Sequence, residues 1–149
     1  MCFVLYAGTT TPIPRSAFDE NAPYVHVTAL TEDEMPVSAH FSAPAVQNIG
    51  STSGCGCDFP HAMFQNGGWP EIDFAQSDNR NPERAATHSQ NLAALAALLQ
   101  STGETTIELY GVWWSDMAEE PQAREVIAVS QLLDPAFRLK ERGFYTITL

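Results

Sequence analysis

Asn81-Pro82-Glu83-Arg84-Ala85-Ala86-Thr87-His88-Ser89-Gln90-Asn91-Leu92-Ala93-Ala94-Leu95-Ala96-Ala97-Leu98-Leu99-Gln100 is the stretch on which the fold reading turns. Asn81 suits an N-cap, Pro82 the first helical position, and Glu83 the first turn, where its charge complements the helix dipole. Ala85, His88, Leu92, Leu95 and Leu99 recur at helical spacing and mark one buried stripe. The alanines between them keep helix propensity high, and Gly103 is the expected stop. The spacing predicts one long helix over about 82–100, and it is the only long helical pattern in the chain.

Around it the pattern is that of strands. Residues 2–7 form an apolar, β-prone run without strict alternation, which suits a strand covered on both faces. Thr9 to Pro14 breaks it, because prolines at 12 and 14 cannot share a ladder. Residues 24–30 alternate cleanly, residues 105–114 more strongly still, and 37–41, 46–49, 72–74, 125–132, 137–140 and 144–149 read as further strands. Trp113 and Trp114 point to opposite faces of theirs; the exposed one can wall a pocket beside Trp69, Phe64 and Tyr110. Strands gathered before and after a single helix predict an α+β fold: a mostly antiparallel or mixed sheet with the helix packed on one face. At 149 residues the chain reads as one domain spanning 1–149.

Charge and cysteine usage narrow the function classes. Eighteen acids against seven bases give a net charge of −11. Residues 1–79 hold nine acids and a single base, Arg15. Such a surface repels phosphate backbones and anionic lipid, which argues against nucleic-acid and membrane partners. The start of the chain lacks the basic residue and long apolar run of a signal peptide, and no stretch is apolar for the ~20 residues a membrane span needs. Three cysteines cannot all pair internally, so the expectation is a cytoplasmic protein with free thiols.

The chemistry concentrates between Gly50 and Pro70, which hold five of the nine glycines and two of the three cysteines. The core of that stretch is Cys55-Gly56-Cys57-Asp58-Phe59-Pro60-His61. Thiolates and imidazole are the ligands that zinc, iron and copper(I) favour, and Gly56 lets the backbone fold so that two sulfurs converge on one ion. Cys55, Cys57 and His61 are therefore the candidate metal ligands, with zinc the candidate ion. Cys2, His26, His40 or water is available as a fourth donor. The same thiols support a redox or nucleophilic reading, with His61 lowering a cysteine pKa and Cys57 as the candidate nucleophile. The one-residue spacing departs from the two to four residues usual between zinc-binding cysteines.

Two further readings stand beside this one. Met1-Cys2 resembles the start of the N-terminal-nucleophile amidotransferases, which implies an amide hydrolase with Cys2 as nucleophile once Met1 is removed; Phe3 stands where those enzymes carry glycine. The alternative is a non-catalytic domain whose acidic surface and exposed aromatics meet a protein partner or a small molecule. The stretch Ser-Thr-Ser-Gly-Cys-Gly-Cys-Asp-Phe-Pro-His, with Asp134-Pro135-Ala136-Phe137 and Glu141-Arg142-Gly143-Phe144-Tyr145, resembles small bacterial proteins of unknown function. That resemblance implies no activity, so no residue role follows from it.

Overall fold

The computed structural model describes residues 2–21, 24–63 and 81–149. They build a six-stranded mixed sheet and one long helix, an α+β fold. The strands are β1 (Phe3–Thr9), β2 (His26–Ala29), β3 (Ala45–Gly50), β5 (Thr106–Trp113), β6 (Ala123–Ala128) and β8 (Gly143–Thr148), in the order β2-β3-β1-β5-β8-β6. All neighbours are antiparallel except β6 and β8, which run parallel. A second, two-stranded ribbon pairs β4 (His61–Ala62) with β7 (Leu139–Lys140).

Strand β1 lies inside the sheet, between β3 and β5, and all seven of its residues are buried. This accounts for its lack of alternation: both faces are covered. Phe3, Leu5 and Ala7 face a core that includes Leu92, Leu95, Ala96 and Leu99 of helix α1 (Pro82–Ser101) together with Ile107, Leu109, Tyr145 and Ile147. Val4 and Tyr6 face a second core with Val37, Tyr110, Val112, Met117 and Phe144.

Helix α1 begins as its sequence dictates. The Asn81 side chain accepts hydrogen bonds from the N–H groups of Glu83 and Arg84 at 3.0 and 3.5 Å. Gly103 ends it in the left-handed region, at φ 72°. Asn81→Ala is expected to cost about 1 kcal/mol of stability, the usual worth of such a cap, read as a lower urea midpoint with an unchanged slope.

Several expectations are corrected. Residues 37–41 are not a strand; 37–40 belong to a 3-10 helix, Glu32–His40, and Phe41 caps its end. The reason is a capping box: Glu34 Oε2 accepts the Thr31 N–H at 2.8 Å and the Thr31 hydroxyl at 2.9 Å, turning the chain at once. Glu34 is buried, and its other oxygen takes hydrogen bonds from Asn48 at 2.5 Å and from Tyr6 at 3.2 Å. Strand β6 stops at Ala128, and a 3-10 turn, Val129–Leu133, follows under α1. The strand over 137–140 shrinks to two residues. The strand expected at 72–74 lies outside the described residues. Among the described residues no helix is long and apolar enough to cross a membrane.

Candidate metal centre

After β3 the chain makes a tight loop in which each polar group has a local task. Ser51 is fully buried. Its N–H donates to the Cys55 carbonyl at 2.7 Å, its hydroxyl donates to the same oxygen, and its Oγ accepts the Asp58 N–H at 3.2 Å. Gly54, at φ 83°, donates back to the Ser51 carbonyl at 2.8 Å. The loop is tied to α1 by Asn91, a fully buried polar residue on the helix's apolar stripe. Its amide donates to the Asp58 carbonyl at 3.0 Å and its oxygen accepts the Thr52 hydroxyl at 2.6 Å. An amide among leucines is the sequence signal for this clamp.

Cys55 then caps a single 3-10 turn, Gly56–Asp58, and its sulfur accepts the Cys57 N–H at 3.4 Å. Gly56 sits directly on β1. A Cβ built there would stand 2.9 Å from the Phe3 carbonyl oxygen and 3.2 Å from Leu5 N and Val4 Cα. The missing side chain is what lets the turn press its two cysteines against the start of β1. There Cys2 extends the ladder, its carbonyl accepting the Trp114 N–H at 2.9 Å.

The consequence is a three-sulfur cluster. Cys2, Cys55 and Cys57 hold their sulfurs within 4.8 Å of one another, and all three are free thiols. Cys2 is exposed; Cys55 and Cys57 are half-buried. The cluster can hold a metal ion. Sulfurs bound to one zinc at 2.3 Å stand about 3.8–4.0 Å apart, so the trio needs to contract by no more than about 1 Å.

His61 does not join it. Among the described residues the converging group is the three cysteines alone. The imidazole is buried, stacked on the Phe3 ring at 4.4 Å and edge-on to Trp113 at 5.6 Å. Its Nδ1 lies 2.8 Å from the Phe59 carbonyl. His61 stacks on Phe3, whose side chain points opposite to that of its neighbour Cys2. Pairing with Leu139 holds it there. His26 and His40 are buried apart as well, the first against Phe18 and the second against Tyr110.

The environment divides the thiols. Burial pushes the Cys55 thiol up, but hydrogen bonds from Ser53, from the Cys57 thiol and N–H and from Cys2 outweigh it and hold Cys55 below an ordinary cysteine. Burial, and the hydrogen bond to Cys55, push Cys57 well above one. Cys55 is thus the readier thiolate. Iodoacetamide at neutral pH is expected to modify Cys55 well before Cys57, which peptide mapping by mass spectrometry will show.

The amidotransferase resemblance implies two stacked sheets with several helices. The described residues instead form one six-stranded sheet, a short ribbon and one long helix. No protein-family model matches this chain, and no match is found among curated proteins or solved structures.

Proposed function

We propose that this protein is a thiolate metal-binding module, with Cys2, Cys55 and Cys57 as its protein ligands and zinc as the ion. The observation that carries this reading is the meeting of Cys2 with a cysteine pair more than fifty residues away in sequence, all within 4.8 Å. The donor set fits the ion: thiolate sulfur is a ligand that zinc and other thiophilic metals favour. The half-exposed position gives an ion a way in. Three protein ligands leave one tetrahedral position for an exogenous group, the pattern of zinc sites that bind or transform something.

The test is metal content and titration on protein purified without an affinity tag. The expected result is one equivalent of zinc, with three thiols lost to thiol reagents while it is bound. Less than a tenth of an equivalent of zinc, iron and copper together, and no uptake on titration, would sink the reading. A second reading, a redox dithiol, draws support from the divided thiol acidities of Cys55 and Cys57. It expects peroxide to consume two thiols in one disulfide whether or not metal is supplied.

A further inference from the structure

The three sulfurs differ in what lies beside them. Cys57 turns inward, its sulfur 3.9 Å from the Phe3 carbonyl and packed against the helix-side core. Cys2 and Cys55 instead line an open depression of about 660 Å³, walled by Val4, Gly54 and Trp114. Trp114 is 41% exposed, a large apolar ring facing water beside a cluster of thiols. The polar residues at the rim are already engaged. Asn48 donates to Glu34, and the Ser115 hydroxyl donates to Asp116 Oδ1 at 2.8 Å. Among the described residues, none of those lining it carries a positively charged side chain.

We propose that this depression seats a small apolar thiol whose sulfur takes the fourth position on the ion. The inference rests on the metal reading above. With β1 behind Cys57, the approach to an ion on the three sulfurs lies on the side of Cys2 and Cys55, where the depression opens. Any anion entering there, thiolate or carboxylate, faces the same three thiolates, and among the described lining residues no side chain carries a positive charge to hold the body of a hydrophilic one. A thiol brings a soft donor that the ion prefers, and its hydrocarbon body is buried against Trp114 and Val4. In the binding step the S–H bond breaks and its proton goes to solvent. A metal–sulfur bond forms as a metal–water bond breaks, and no electrons change hands.

The test uses the cobalt(II)-loaded full chain, whose thiolate charge-transfer band reports each added sulfur ligand. Phenylmethanethiol and 2-mercaptoethanol serve as apolar and polar probes. Phenylmethanethiol is expected to bind at least about tenfold more tightly, from burial of its ring. Trp114→Ala should bring the two probes to near equality without changing cobalt affinity, and Trp114→Phe should keep the preference. Equal affinity of the two thiols for the unmodified protein, or a preference indifferent to Trp114→Ala, would overturn the proposal while leaving the metal site standing. Failure of cobalt to bind at all would remove both.

Discussion

Replacing Cys57 with serine is expected to lower zinc affinity by well over a hundredfold. Loss of a supporting contact around a metal typically costs 10–100-fold, and here a ligand itself is removed, its thiolate exchanged for a hydroxyl that stays protonated. The fold should survive, because Cys57 is half-buried and serine is of similar size. Competition against a chromophoric chelator reads the affinity, and near-ultraviolet circular dichroism checks the fold. Cys2→Ser should show a loss of similar size, since Cys2, just ahead of β1, is the third of the converging cysteines. If Cys2→Ser binds zinc as the unmodified protein does, the three-sulfur site is wrong. His61→Gln is the informative contrast. His61 stands outside the cluster, stacked on Phe3, and its replacement should cost stability through lost packing while leaving zinc affinity within a few-fold.

The same site has a pH dependence with a definite sign. A thiol must lose its proton to bind metal, so affinity falls as pH falls. Cys55, held low, gives up its proton early; Cys57, pushed up by burial, is still a thiol at neutral pH. Zinc binding near neutrality should therefore release protons, and apparent affinity should climb with pH through and beyond neutrality. Calorimetry in buffers of different ionisation enthalpy counts those protons.

Gly56→Ala is expected to damage both fold and site. The added methyl would meet the backbone of β1 at 2.9–3.2 Å, and that backbone is the middle of the sheet, unable to step aside. Overpacking of this kind costs about 1–3 kcal/mol. The turn carrying Cys55 and Cys57 would have to lift away from the strand that presents Cys2, so zinc affinity should fall together with the urea midpoint. Gly103→Ala separates the two effects. There a methyl meets nothing within 4 Å, and the only cost is the left-handed backbone at φ 72°. It should destabilise by about 1–2 kcal/mol and leave zinc binding untouched. A Gly56→Ala protein with unaltered stability and affinity would mean that the turn does not rest on β1 as described.

Much of the fold was legible because its signals are local. Asn81, Pro82 and the leucine spacing bound the helix within two residues of where it lies, since caps and stripes act over three or four positions. The apolar run at 2–7, without alternation, announced a strand buried on both faces for the same reason, and the strand extends to Thr9. The strand pattern at 37–41 misleads because Val37 and Phe41 suit an extended chain, while Thr31 and Glu34 close a capping box just before them. Two residues of the site, Cys55 and Cys57, were visible in the glycine-rich loop.

By itself, then, the sequence determined the helix, the central strand and the presence of a cysteine pair on a bend that only glycine permits. The tertiary structure alone decided the third partner. His61 is four residues from Cys57 along the chain, yet it stacks on Phe3 outside the cluster; Cys2 is fifty-five residues away and within 4.8 Å. Which side chains meet depends on strand pairing and on the face each residue takes in a pleated sheet. Both follow from burying the two cores on either side of β1, and no short-range pattern carries that information.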